Sequence, residues 1–314
     1  MVSAPQPGGP EAAPITLPQR LLDSLSNDPQ SPARVWLAKL PELVAHQLRG
    51  WELTLERVPS PGGRSSLIVL VRQADGTPAT LKFPAPGPYA GHERAALAQW
   101  NGWGAVHLLR DDPESGALLL ERLHSAVSLR SLPEAKALLE AAGTVRRLWV
   151  PPAEGHPFDS VATRTGKGVE TLRLIAAGTW AADARPLVDE ALELREELSG
   201  QAPEHLLLHG DFRQGKVLAG ERAPWLAVGP APLVGERAYD LAQLVLDRCE
   251  DLAAGSGPAA AARRRVAKLA DSLDVDRDRL RGWTLFRAVE AGLRHAAVGD
   301  RRRGELLLEF AGWL

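Results

Sequence analysis

Along this 314-residue chain the spacing of apolar positions changes near residue 51 and again beyond Leu123. In "SPARVWLAKLPELVAHQLRGW", Trp36, Leu37, Leu40, Leu43, Val44 and Leu48 recur at helical spacing, predicting one or two opening helices. The next segments, "WELTLERV", "SSLIVLVRQ" and "PATLKF", are short and rich in Leu, Val, Ile and Thr, and "PSPGGR" and "ADGTP" between them are turn chemistry. That pattern predicts a small antiparallel sheet over 51–84. "GHERAALAQWNGWG" follows as a helix with Leu97 and Trp100 on its apolar side, closed by glycines. "AVHLLRDDPESGALLLERL" then predicts two strands joined by a turn at 111–116.

Beyond Leu123 helical periodicity dominates, at 131–149, about 164–180, 183–199, near 236–251, 258–273, 276–298 and 303–313. The exception is 206–244, where loops flank one short predicted strand, "PWLAV". No fixed-period repeat is present. A sheet-rich segment with one helix, followed by a mainly helical half, is an α+β arrangement. We expect a nucleotide-type lobe with opening helices over 15–123 and a helical lobe over 124–314, joined near 121–124 and carrying a catalytic-type loop at 205–230. Residues 1–14, "MVSAPQPGGPEAAP", hold too much Pro and Gly and too little apolar bulk to fold, and read as a disordered tail.

Charge changes this picture little. Thirty-seven basic and 39 acidic residues leave a net charge of −2, so no excess of either sign directs the chain to nucleic acid or a membrane surface. The single cysteine, Cys249, excludes an internal disulfide and a cysteine-based zinc site. Set in an apolar helical pattern, it reads as packing, and one thiol suits a reducing compartment. With no apolar run of membrane-spanning length and no signal-like N-terminus, the expectation is a soluble cytoplasmic protein.

Candidate chemistry begins with His209-Gly210-Asp211. It follows the apolar run Leu206, Leu207, Leu208 and opens a loop, so Asp211 can be held rigidly enough to accept the proton of an attacking hydroxyl. The same letters also suit an Asp that caps a turn. Lys82, in "PATLKF", alternates with Leu81 and Phe83 along a strand, and Glu93 lies near the start of the following helix. A strand lysine positioned by a helix carboxylate can hold nucleotide phosphates, whereas singly each residue reads as a surface charge. Glu236, Asp247, Glu250 and Asp251 form an acidic group that would either face a cationic ligand or line a solvated helix face. "PSPGGRSS" lies where a nucleotide-covering loop would be expected, but its adjacent Gly62 and Gly63 suit a plain hairpin turn.

The order of these residues, with "GTPATLKF", "LLHGDFRQGKVL", "PWLAVGPAPLVGERAYDLA" and "LRGWTLFRAVEAGL" around them, resembles the aminoglycoside phosphotransferases, most closely their streptomycin 6-kinase and hydroxyurea phosphotransferase branch. The resemblance implies a protein-kinase-like two-lobed fold with ATP between the lobes. It further implies Lys82 on the α- and β-phosphates, Glu93 paired with Lys82, the stretch from Glu121 to His124, with Glu121 and Leu123, along the adenine, and Asp211 as the base facing the acceptor hydroxyl. Asp240, in "YDLA", would anchor the catalytic loop. The implied acceptor is a small molecule, with a cationic aminoglycoside first among them.

Two positions depart from the family pattern. Lys216 stands where the family loop has Asn, and Gly229 where a strand ends in Asp; in the family both hold magnesium ions. Mg²⁺ takes hard oxygen donors, so an ammonium there opposes the ion while supplying a point charge for phosphate. The other reading of Lys216 is a solvent-facing residue in a drifted loop. Three functions follow: a pseudokinase-like or repurposed protein that still binds a nucleotide, an active ATP-dependent O-phosphotransferase, or an acid–base enzyme using Asp211 on a kinase fold.

Overall fold

The computed structural model describes residues 15–25, 32–178 and 183–314; the tail expected at 1–14 lies outside them. The chain divides into two compact units, one of Met1–Arg94 with His107–Arg122, the other of Ala95–Val106 with Leu123–Leu314.

In the first unit, helices α1 (Gln19–Leu25) and α2 (Pro32–Gly50) precede a five-stranded sheet. Its strands are β1 (Thr54–Arg57), β2 (Ser66–Arg72), β3 (Pro78–Pro84), β4 (Leu108–Asp112) and β5 (Ala117–Glu121). They lie in the order β1-β2-β3-β5-β4, every pair antiparallel. Period-two alternation sends Leu67, Val69, Val71, Ala79, Leu81, Phe83, Ala117 and Leu119 to one face. There they meet Leu21, Trp36, Leu37, Leu40 and Val44 from the two helices. Each Leu buried this way contributes about 2 kcal/mol, so α2 is held by its apolar stripe although Pro41 interrupts its hydrogen bonding. Lys82 lies on the opposite face, in register between Ile68 and Leu118.

Helix α3 (His92–Trp100) begins with first-unit residues and ends with second-unit ones. The second unit has two small sheets. Strands β6 (His124–Ser128), β8 (Val217–Ala219) and β9 (Leu226–Ala227) form one in the order β6-β8-β9. Strand β7 (Leu206–Leu208) pairs antiparallel with β10 (Leu233–Gly235) in the other, bringing the start and end of the loop-rich segment side by side. Only the "PWLAV" strand was expected here. The others are three to five residues long, too short to show a period.

Around them pack α4 (Glu134–Leu148), α5 (Val161–Gly166), α6 (Val169–Ala176), α7 (Arg185–Gly200), α8 (Arg237–Leu246), α9 (Cys249–Ala253), α10 (Pro258–Leu273), α11 (Arg277–Ala297) and α12 (Arg301–Gly312). Two expected helices are each split. The one at 164–180 breaks at Lys167 and Gly168 into α5 and α6, the latter ending at Ala176; the last two positions of the expected span lie outside the described residues. The one at 236–251 breaks because Asp247 turns extended and Arg248 adopts φ +57°, which frees the Asp247 carboxylate to accept the N–H of Gln214 at 2.7 Å. At the α11–α12 crossing a Cβ on Gly304 would lie 2.8 Å from the Gly292 carbonyl, so glycine permits the close approach. No helix among the described residues is long and apolar enough to cross a membrane.

Candidate active site

In the first unit, strand β3 presents Lys82 and the first turn of α3 presents Glu93. The ammonium donates to both carboxylate oxygens at 2.5 and 2.7 Å, with the side chains only 10% and 13% exposed. A lysine this buried requires a charge partner. Glu121, also in this unit, is tied to its own hairpin: its Oε1 accepts from the His107 N–H at 2.7 Å, and its own N–H donates to the His107 carbonyl at 3.0 Å. Leu123, two residues on, is buried in the second unit beside Gly220.

The loop after β7 is fixed from several directions. Gly210 has φ +77°, and a Cβ there would lie 2.0 Å from the Ala231 carbonyl, so only glycine fits. Asp240, fully buried on α8, accepts the N–H groups of His209 at 3.0 Å and Gly210 at 2.8 Å, and also Trp149 Nε1 at 3.2 Å. Burial pushes its carboxyl above the ordinary range, with those N–H donors opposing. The carbonyl of His209 accepts from Ala231 N at 2.9 Å, and that of Gly210 from both terminal nitrogens of Arg287 at 3.2 and 3.3 Å. Every polar main-chain group of residues 209 and 210 is therefore engaged.

His209 itself is fully buried, between Trp100 in a near-parallel stack and Phe212 edge-on. Burial, aided by the Lys216 charge, lowers its pKa to about 3, so the ring is neutral. Its Nε2 faces the Val228 carbonyl at 3.2 Å and its Nδ1 accepts from Asp211 N at 3.3 Å, which assigns the proton to Nε2. The imidazole supports the loop and is unsuited to accept a proton.

Asp211 emerges half-buried from this support, its side chain 30% exposed. Lys216 ends a short 3-10 turn (Gln214–Lys216), and its ammonium forms an ion pair with Asp211 Oδ2 while donating to the Gly229 carbonyl at 2.6 Å. Arg213 Nε approaches Asp211 Oδ1 at 3.4 Å. Burial raises the proton affinity of Asp211, but the charges of Lys216 and Arg213 outweigh it and hold the carboxyl below its usual value.

This donor set does not fit a divalent cation. At the two positions that would supply oxygen donors, Gly229 has no side chain and Lys216 places an ammonium between the Asp211 carboxylate and the Gly229 carbonyl. At an effective dielectric near 20 and ~4 Å separation, an ammonium repels a divalent ion by about 8 kcal/mol, an upper bound for a half-exposed group. Among the described residues no group of three or more His, Cys, Asp or Glu is arranged to hold a metal.

The acidic group is divided: Glu236 and Asp247 are buried, whereas Glu250 and Asp251 lie on the solvated surface. Glu236 is 2% exposed and receives Arg279 at 2.6 Å and Trp283 Nε1 at 2.7 Å; Asp247 is 7% exposed and caps the 3-10 turn. Glu250 pairs with Arg303, and Asp251 with Arg248 at 2.7 Å. Arg279 and Arg303 reach Glu236 and Glu250 from distant segments, whereas Asp247 accepts a main-chain N–H and Asp251 pairs with an arginine three positions earlier. The sequence signal for Arg287 is a cation between the buried Phe286 and Ala288 in the otherwise uncharged stretch 282–289 of α11.

A model of the family described as aminoglycoside/hydroxyurea antibiotic resistance kinase matches residues 50–299. The streptomycin 6-kinase of Streptomyces glaucescens is 36% identical over 281 residues, 89% of this chain and 90% of that protein. The hydroxyurea phosphotransferase of Kitasatospora aureofaciens is 32% identical over 300 residues, covering 91% and 82%. Among solved structures, a thermostable mutant of an aminoglycoside phosphotransferase, in ternary complex with AMP-PNP and hygromycin B, superposes with a TM-score of 0.57 at 16% identity over 85% of this chain and 96% of that one. The choline kinase of Streptococcus pneumoniae gives 0.59 at 11% identity over 87% and 99%. At such identities the likeness is one of fold, which is protein-kinase-like.

Proposed function

Since the chain belongs to the aminoglycoside/hydroxyurea antibiotic resistance kinase family, we propose that it is a pseudokinase-like member that binds ATP without a divalent ion and transfers phosphate poorly or not at all. The observation that carries this is the Lys216 ammonium closed between Asp211 and the Gly229 carbonyl. ATP, when bound, supplies the phosphoryl group and a run of negative charge. In the first unit Lys82, oriented by Glu93, is a group suited to phosphate, and in the second unit Lys216 is a point charge of the same kind. The stretch Glu121 to Leu123 would flank the base. As a proton acceptor Asp211 is weakened twice, by a lowered proton affinity and by the ion pair an incoming hydroxyl must displace.

A second reading, an active O-phosphotransferase on a hydroxylated small molecule such as an aminoglycoside, is favoured by the intact Lys82–Glu93 pair and by the Asp240-held loop. Calorimetric titration of ATP with and without Mg²⁺ separates the two. Affinity that magnesium leaves unchanged, with no ADP formed against streptomycin, is the expected result; magnesium-dependent turnover would overturn it. In Lys216→Asn with Gly229→Asp, which removes the ammonium and adds a carboxylate, ATP affinity should become magnesium-dependent by about tenfold or more.

A further inference from the structure

The second unit carries an unbroken strip of charged side chains leading from Asp211 to the N-terminal end of α5. Arg287 lies over the Tyr239 ring at 4.6 Å, with Tyr239 itself buried, and bonds the Gly210 carbonyl next to Asp211. Glu290, one turn farther along α11, pairs with Arg294 at 3.0 Å, and both reach the space beside Gly168. Beyond Gly168, Arg164 and Lys167 share Asp159 at 3.2 and 2.9 Å. With Arg213 and Lys216 the strip holds six cations; its carboxylates are Asp159, Asp211, Glu290 and the buried Asp240, which is already engaged by N–H donors.

A polycation needs carboxylates left over after internal pairing, and this strip offers none. Asp159 has two cations, Asp211 two, and Glu290 one. Glu236, Asp247, Glu250 and Asp251 each have a donor within the unit as well. The unmatched groups are donors. Arg287 is half-buried, gives one N–H from each terminal nitrogen to a single carbonyl, and has no protein partner for Nε among the described residues. A guanidinium has five N–H donors in a planar fork suited to a carboxylate or phosphate, so about three remain for a ligand.

We infer that this strip, with Arg287 as its anchor, binds a small molecule bearing an oxyanion, carboxylate or phosphate, and does not accept a polycationic aminoglycoside. This deepens the proposed function only in taking Asp211 as the group that faces the acceptor; it stands apart from whether ATP needs magnesium.

The test is thermal unfolding of the full chain at matched ionic strength with inorganic phosphate, citrate or streptomycin hydrochloride, followed by binding isotherms for each probe. Phosphate, citrate or both should raise the Tm and streptomycin should not; which anion acts separates the phosphate and carboxylate sources. Affinity for the active anion should fall roughly tenfold in Arg287→Met, as for a lost charge-assisted pair, and recover in part in Arg287→Lys. Stabilisation by streptomycin in the wild type, an experiment that needs no variant to fold, overturns the inference. So does an anion effect that survives Arg287→Met and vanishes in Lys216→Met, which would place the anion at the proposed nucleotide phosphate position and leave the ATP reading intact.

Discussion

Each unit of this molecule holds a close lysine–carboxylate pair, and the two pairs do opposite things. In Lys82–Glu93 the carboxylate serves the lysine: strand and helix fix both side chains, both oxygens are committed, and a positive group is left oriented for a ligand. In Asp211–Lys216 the lysine occupies the carboxylate, which follows a main chain fixed at His209 and Gly210. The same two functional groups thus make a cation available in one place and a base unavailable in the other. Which partner the backbone immobilises decides the outcome.

Perturbations should separate the pairs in order of size. Gly210→Ala places a methyl 2.0 Å from the Ala231 carbonyl at a left-handed backbone position, so it should cost about 4 kcal/mol or more and lower the urea midpoint sharply. An unchanged midpoint would mean the loop is not rigid. Asp240→Asn trades two strong N–H acceptances for one and should cost about 2–3 kcal/mol by the same measurement.

Lys82→Met should weaken ATP by roughly 1.5–3 kcal/mol, ten- to hundredfold, with or without magnesium. Lys216→Met should weaken it less and make it more magnesium-sensitive. Equal losses in the two variants would erase the contrast drawn between the pairs.

The smallest effect is in acid. His209 has a folded pKa of about 3 and an ordinary one of 6.5, so the unfolded chain binds its proton first. Its neutral burial therefore contributes full stability above about pH 6.5, lost progressively as pH falls toward 3, at up to about 1.4 kcal/mol per pH unit. The fall in the urea midpoint between pH 7 and 5 should be smaller in His209→Gln. The paired carboxylates, whose stability is lost at lower pH, supply the remaining slope.

Much of the first unit could be read in the sequence, because β2 and β3 are seven-residue runs rich in Leu, Val, Ile and Thr and bounded by turn residues. Lys82, Glu93 and the H-G-D segment were equally visible, since each sits at a fixed offset from an apolar run. The short strands around the loop were not, and neither was the broken helix at Asp247. That break exists to bring a carboxylate to Gln214, a residue 33 positions earlier in the chain. Glu236 and Asp247 read as surface charges for the same reason: their partners, Arg279 and the Gln214 amide, are remote in sequence.

By itself, then, the sequence determined the class of fold, the family, and the presence of a lysine where an oxygen donor is expected. Only the tertiary structure decided that this lysine closes on Asp211 and Gly229, that Glu236 and Asp247 are buried against Arg279 and the Gln214 amide, and that Arg287 is left with free donors. Periodicity and spacing report short-range geometry, whereas a charge acquires its role from whichever group folding places within a few ångströms of it.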